Sequence, residues 1–270
     1  MLDKWAGAKK GDAYSDFVWH AATDSKAFSS FRRNRVYTTI LEHVSTDLGE
    51  QYLSLITDPQ VREICLNSDS ADKIGSPKTA LYEGHIISPS TLRYGKVAND
   101  LVHFFPDFGS VRTICEIGVG YGGQARILCE YSARIGGALT RYELVDLPEV
   151  LMLSRRYLQH FHFSNEFAYR SKTEMGASGD GYDLVISNYA FSEFEKPLQK
   201  EYLEKILLKS KRGYLTMNSG LHDPQYPSDS GRDNYSQSDL LSILPNAKVL
   251  AEAPLTSKNN YIIVFGNHSA

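Results

Sequence analysis

The sequence predicts a doubly wound α/β domain behind a helical N-terminal stretch, and three observations carry that expectation. From about residue 110 onward, short β-branched runs alternate with helical runs, the pattern of a parallel sheet with crossover helices. Gly118, Gly120, Gly122 and Gly123 crowd the turn between the first such strand and the helix after it. Before residue 110, apolar residues recur only at helical spacing, with no convincing strand. The boundary is therefore placed there, with 1–109 a helical extension and 110–270 the sheet domain.

In the extension, Val36, Ile40, Leu41, Val44 and Leu48, then Leu53, Leu55 and Ile56, follow helical spacing. Residues 70–90 are rich in Ser, Pro and Gly and read as a loop. A helix from Pro89 to Phe105 follows, with Ser88 or Ser90 as N-cap and Pro106 closing it. VRTICEIG (111–118) is the first strand of the sheet, and GGQARILCEYSARI (122–135) its helix. ALTRYELVD (138–146) is the second strand, followed by a helix over 147–161 with Pro148 in its first turn. EFAYRS (166–171) is a weaker third strand, and YDLVISN (182–188) a fourth, apolar enough to be buried on both faces. A helix over 197–209 leads to the fifth strand, RGYLTMNS (212–219). AKVLAEAP (247–254) and NYIIVFGN (260–267) flank TSKN and read as a closing hairpin that adds an antiparallel strand at one edge.

Composition narrows the function. The chain has 270 residues, 42% of them hydrophobic, with 29 basic against 32 acidic side chains and a net charge of −3. A net-acidic chain without a Lys/Arg block argues against nucleic-acid binding through phosphate neutralisation. No run approaches the roughly 18 apolar residues of a membrane span. The N-terminal MLDKWAGAKKGD lacks the apolar core of a signal peptide. Cys65, Cys115 and Cys129, odd in number and in apolar surroundings, read as reduced thiols of a cytoplasmic protein. No CxxC, HExxH or paired metal-ligand spacing is present, so no structural zinc site is expected.

The strongest motif is Cys115-Glu116-Ile117-Gly118-Val119-Gly120-Tyr121-Gly122-Gly123. Glycines between strand and helix let the backbone turn tightly and let a ligand approach it. Gly118, Gly120 and Gly123 satisfy GxGxxG, which fits a nicotinamide dinucleotide as well as other nucleosides. Glu116, at the carboxyl end of its strand, argues for a ligand with a cationic end. Asp146 closes the second strand, where it can accept hydrogen bonds from ribose hydroxyls, cap the next helix, or both.

These residues resemble the class I S-adenosylmethionine-dependent methyltransferases. More narrowly, ISPSTLRYG (87–95), EIGVGYGGQA (116–125), YELVDLPEVLMLSRRYL (142–158), LVISNYAFSEF (184–194) and KSKRGYLTMNSG (209–220) resemble bacterial sugar O-methyltransferases of surface-glycan and natural-product clusters. The resemblance spans about residues 80–220; residues 1–75 resemble nothing nameable. It implies a Rossmann-like seven-stranded sheet of order 3-2-1-4-5-7-6, S-adenosylmethionine as cofactor with S-adenosylhomocysteine as product, and a sugar hydroxyl as acceptor. It implies a cofactor set of Glu116, Gly118, Gly120, Tyr121, Gly122, Asp146, Leu147, Ser171 and Asn188. A different small acceptor, a phosphorylated one included, stays open. So do a nicotinamide-dependent oxidoreductase, although no Tyr-x-x-x-Lys pair accompanies the glycines, and a non-catalytic binding protein.

A sugar hydroxyl is barely acidic, so a general base or a metal must help its proton leave as the methyl group transfers; a metal-assisted version would take Asp146, Glu193 or Asp223 as ligands. Glu193, among Tyr189, Phe191 and Phe194, is the leading candidate base, because apolar neighbours raise a carboxylate's pKa; it also reads as a first-turn helix carboxylate. His222 competes, since imidazole titrates near neutrality. Asp223 orients His222, contacts substrate, or simply precedes Pro224 in a turn. His85, Arg93, Tyr94 and Tyr189 complete the candidate acceptor contacts. Arg93 suits a phosphate or carboxylate on the acceptor, or is a solvated helix charge. Ser187-Asn188-Tyr189-Ala190 lacks the prolines of an amine-holding turn and favours oxygen as the acceptor atom. The N-terminal helices are expected to cover the site, mediate a homodimer, or both.

Overall fold

The computed structural model describes residues 13–177, 179–218 and 233–269. The N-terminal part comprises α1 (Ala13–Thr23), α2 (Ser25–Ser29), α3 (Arg35–Ile40), α4 (Thr46–Leu55), α5 (Pro59–Leu66), a hairpin of β1 (Ala80–Tyr82) and β2 (His85–Ile87), and α6 (Pro89–Phe104). The sheet region follows as β3 (Thr113–Ile117), α7 (Gly123–Arg134), β4 (Arg141–Val145), α8 (Pro148–Leu158), β5 (Glu166–Arg170), β6 (Leu184–Asn188), α9 (Lys196–Lys205), β7 (Arg212–Met217), α10 (Gln237–Ile243), β8 (Lys248–Ala251) and β9 (Tyr261–Gly266). Seven strands form one mixed sheet in the order β5-β4-β3-β6-β7-β9-β8. β5, β4, β3, β6 and β7 run parallel, and β9 pairs antiparallel with both β7 and β8.

The centre of the sheet is apolar on both sides. In β3, Ile114 packs into one core cluster while Cys115 and Ile117 pack into the other, as the two-residue period of a strand requires. The first cluster joins α6, α7 and α8 to residues of the N-terminal helices, among them Val18, Phe31, Tyr37, Leu53 and Ile64. The second lies on the opposite face, with Tyr202, Leu203 and Ile206 of the α9 segment and Leu240 of α10. No helix among the described residues is long and apolar enough to cross a membrane.

Four local readings of the sequence need refinement or correction. The helical spacing over 36–48 is divided between two helices: α3 stops at Ile40, and the Ser45 side chain caps α4 by accepting from the Leu48 N–H at 3.2 Å. Residues 70–90 are not all loop, because β1 and β2 pair through a two-residue turn. Glu83 and Gly84 hold φ of 49° and 85° there, the conformation such a turn requires, but glutamate is not a residue that announces it. α10 escaped notice inside a polar stretch. Its signal is a capping box, in which Ser236 and Asp239 exchange side-chain and backbone bonds at 3.1 and 3.0 Å. Lastly, the antiparallel strand β9 is not at the edge; β8 flanks it there, and residues 252–260 connect the two.

One buried ionic network ties the N-terminal helices to the glycine turn. Arg32 is fully buried and donates to Glu42 at 2.7 Å, Asp72 at 3.3 Å and the Ser88 hydroxyl at 3.1 Å. Ser90 and Thr91 donate to the same two carboxylates at 2.9 and 2.7 Å, and the Ser88 N–H to Asp72 at 2.8 Å. The guanidinium lies 4.6 Å from the centre of the Tyr121 ring. Ser88 thus precedes α6 but spends its hydroxyl on Arg32 rather than on a helix cap.

Candidate functional site

β3 is followed by a helix on one side of the sheet and β6 lies on its other side, so the topological switch falls between the carboxyl ends of β3 and β6. The glycine turn sits there. Gly118, Gly120 and Gly122 have φ of 78°, 54° and 91°, the left-handed region that side chains disfavour. At Gly118 space is short as well: an added Cβ would stand 2.2 Å from the Cβ of Ala190. At Gly120 it would meet Leu41 at 3.0 Å, which brings the N-terminal part against the turn.

Two carboxylates frame this turn. Glu116 is 2% exposed and accepts a hydrogen bond from the Tyr142 hydroxyl at 2.6 Å. Burial pushes its carboxyl up to about 8, with the nearby Asp146 adding to the effect. Asp146 is half-buried; it accepts from the N–H groups of Val119 at 2.8 Å, Gly120 at 3.3 Å and Leu147 at 2.7 Å. Burial raises it to about 6 against the lowering effect of those N–H groups. Asp146 therefore braces the glycine turn and the start of α8 together; its position after β4 pointed to the helix start but not to the bonds with Val119 and Gly120.

The raised Glu116 has a consequence for stability. Its folded pKa lies above the ordinary 4.5, so the folded state binds more protons than the unfolded one between about 4.5 and about 8. Stability is then lost as pH rises through that window, by several kcal/mol. Glu116→Gln cannot ionise, so its urea-unfolding free energy is expected to fall less than that of the wild type from pH 5 to pH 8. Parallel curves for the two proteins would show that Glu116 ionises freely.

The remaining candidates are dispersed. The Tyr121 side chain is 1% exposed and turned into the core against Phe31, Tyr94 and Tyr157, so its ring is a packing element. Leu147 stands at the start of α8, half-buried against the core. Ser171, after β5, donates to Glu174 at 2.7 Å and lines a crevice of about 690 Å³ with Pro148, Arg155 and Tyr169, beside the start of α8. His85 is exposed on the β1–β2 hairpin and is not among the residues lining the cavity that holds Arg93 and Tyr94. Glu193 ends the short 3-10 turn Ala190–Glu193 that follows β6. His222 and Asp223 lie outside the described residues.

Arg93, Tyr94, Asn188 and Tyr189 are brought together. They line one cavity with Tyr52, Lys96, Tyr214, Thr216 and Glu252, beside the carboxyl ends of β6 and β7. Tyr189 holds φ of 69°, a conformation that costs a non-glycine residue about 1–3 kcal/mol and is over-represented at functional sites. Its hydroxyl donates to Glu252, itself 8% exposed. Burial, reinforced by that carboxylate, raises the Tyr189 phenol well above its ordinary value, so it stays protonated at neutral pH. Glu252 and Arg32 were not visible as site residues in the sequence. The partners of Arg32 lie 10, 40 and 56 residues away, and Glu252 lies 63 residues from Tyr189.

No protein-family model matches the chain, and no curated protein is similar in sequence. Among solved structures, the chain is similar to a mitomycin 7-O-methyltransferase at 17% identity, with 95% of this chain and 69% of that one aligned and a TM-score of 0.49. An O-methyltransferase family protein from Burkholderia thailandensis aligns at 13% identity over 67% of this chain and 60% of its own, with a TM-score of 0.47. The magnesium protoporphyrin IX methyltransferase of Synechocystis PCC 6803, solved with bound SAM, aligns at 15% identity over 65% and 79%, with a TM-score of 0.44.

Proposed function

We propose that this chain is an S-adenosylmethionine-dependent O-methyltransferase acting on a hydroxyl of a sugar or glycan intermediate. The observation that carries the reading is the left-handed glycine turn at the switch point, framed by Glu116 and Asp146. Two carboxylates pushed up by burial are eased by a cation, and the ammonium and sulfonium of S-adenosylmethionine are cationic. The three positive-φ glycines carry no side chain on the surface the ligand would approach. The residues present therefore fit the cofactor.

When bound, the cofactor supplies an electrophilic methyl group on a sulfonium. In this reading Asp146 holds the ribose hydroxyls and Glu116 the ammonium end, while the main chain of Gly118, Gly120, Tyr121 and Gly122 lies alongside. Leu147, Ser171 and Asn188 complete the cofactor contacts. Arg93, Tyr94 and Tyr189 orient the acceptor, with His85 and Asp223 as outer contacts. Orientation alone supplies up to about 7–11 kcal/mol in the best cases. Glu193 or His222 takes the hydroxyl proton. Residues 1–109 act as a substrate-side cap, with a homodimer through the N-terminal helices, and residues 110–270 as the cofactor domain of a cytoplasmic enzyme.

Transfer of labelled methyl from S-adenosylmethionine to a panel of sugars tests this reading. Glu193→Gln is expected to lower turnover at least 100-fold with cofactor affinity held within a few-fold. Full turnover in both Glu193→Gln and His222→Ala would remove these two residues from proton transfer.

A further inference from the structure

The cavity lined by Arg93 and Tyr189 has a volume of about 20 Å³, room for one or two waters. Its charged lining consists of Arg93, Lys96 and Glu252. Lys96 is neutralised by Asp100 at 2.6 Å, and the Tyr214 hydroxyl donates to the same carboxylate oxygen at 2.6 Å. Glu252 is engaged by the Tyr189 hydroxyl, and by the N–H and hydroxyl of Thr256 at 2.7 and 2.8 Å.

Arg93 is different. Its guanidinium donates to the Leu41 carbonyl at 3.2 Å and to the Tyr94 hydroxyl at 3.5 Å, and no ion pair forms between it and a carboxylate among the described residues. Arg32, Arg126 and Arg212, the arginines buried outright among those residues, each pair with a carboxylate. Arg93 is half-buried, its guanidinium 5.2 Å from the centre of the Tyr94 ring, and a guanidinium partly withdrawn from water gains by acquiring a carboxylate partner. Together with burial, the Arg93 charge holds the neighbouring His43 down at about 4, so that imidazole adds no competing cation at neutral pH.

We propose that Arg93 receives a carboxylate carried by the acceptor, so that the substrate is a hydroxyl compound bearing an acidic group rather than a neutral sugar. This inference rests on the methyltransferase reading of the neighbouring glycine turn. The planar guanidinium matches a carboxylate through two parallel bonds. The small cavity suits a carboxylate's two oxygens better than the tetrahedral oxygens of a phosphate. Glu252 lines the same cavity, but its oxygens are already held by Tyr189 and Thr256, and the rest of the acceptor would lie outside this small space.

Calorimetric titration of the full chain with D-glucuronate, D-galacturonate and D-mannuronate, against the parent neutral sugars and D-glucose 6-phosphate, tests the proposal. Each titration is run in the presence of S-adenosylhomocysteine. At least one uronate is expected to bind about ten-fold or more tighter than its neutral parent. Arg93→Gln is expected to erase that preference, and Arg93→Lys to keep part of it. Equal affinities, no binding of any uronate, or a preference that survives in Arg93→Gln would overturn the proposal. A lead for the phosphorylated sugar would overturn the carboxylate assignment. If the variants do not fold, the wild-type comparison still decides. Binding of S-adenosylhomocysteine itself, measured first, reports separately on the cofactor reading.

Discussion

Arg32→Ala is expected to cost about 3–5 kcal/mol of folding free energy, an effect larger than that of any exposed ion pair in the chain. The wild-type guanidinium serves Glu42, Asp72 and Ser88 at once, with its side chain fully buried. Removing it leaves two carboxylates, 9% and 5% exposed, facing one another without a counter-ion. The Tyr121 ring loses the cation above it, so the damage extends to the glycine turn. Urea unfolding of the purified variant reads the loss directly. A change below about 1 kcal/mol, the range of surface pairs, would mean that the network is hydrated and does not hold the N-terminal helices to the sheet.

Asp146→Ala is expected to lower affinity for S-adenosylhomocysteine about 100-fold, and Asp146→Asn about ten-fold. A hydrogen bond to a charged group contributes about 1.5–3 kcal/mol, and in the proposed complex the carboxylate accepts from the ribose. Alanine also leaves the N–H groups of Val119, Gly120 and Leu147 without their acceptor, so the turn loosens before any ligand arrives. Asparagine keeps one oxygen for these donors, which accounts for the smaller loss. Calorimetric affinities checked beside unfolding midpoints separate the two contributions. An Asp146→Ala affinity within three-fold of wild type would place the ribose elsewhere.

Much of the sheet was legible in the sequence because its signals are local. β3, β4 and β6 are short apolar runs that end in turn residues, and Pro148 and Pro89 mark helix starts within one residue of where they occur. The glycine turn was legible for the same reason, since left-handed φ at Gly118, Gly120 and Gly122 leaves a mark in residue type. The β1–β2 hairpin was not, because Glu83 adopts its positive φ without belonging to the residues that favour it. Nor was the setting of Arg32: three separate segments converge on it, and no spacing rule links Glu42, Asp72 and Ser88. The Tyr121 side chain shows the same limit. Its place within the glycine motif suggested a ligand contact, whereas packing with Phe31 and Tyr157 decided where its ring went.

The pairing of Tyr189 with Glu252 belongs to that less legible class. Strand β6 ends at Asn188, and the left-handed Tyr189 then turns its hydroxyl toward the segment after β8. β7 and β9 intervene in the sheet, so only the finished topology joins the two. Hence the sequence pointed to the glycine turn more clearly than to the cavity of Arg93 and Tyr189. The first rests on one turn and two strand ends, the second on contacts among α4, α6, β6, β7 and the 252–253 segment.

The central claim is that the glycine turn framed by Glu116 and Asp146 binds S-adenosylmethionine, and a thermal-shift titration with S-adenosylhomocysteine, beside NAD and NADH, tests it most directly. Ligand at about a hundred times its dissociation constant stabilises the folded state by about 2.7 kcal/mol, a rise of several degrees for a chain of this size. The account predicts that rise with S-adenosylhomocysteine and none with either nicotinamide. A rise with NAD or NADH alone would contradict it, and the proposed methyltransferase chemistry would fall with the cofactor.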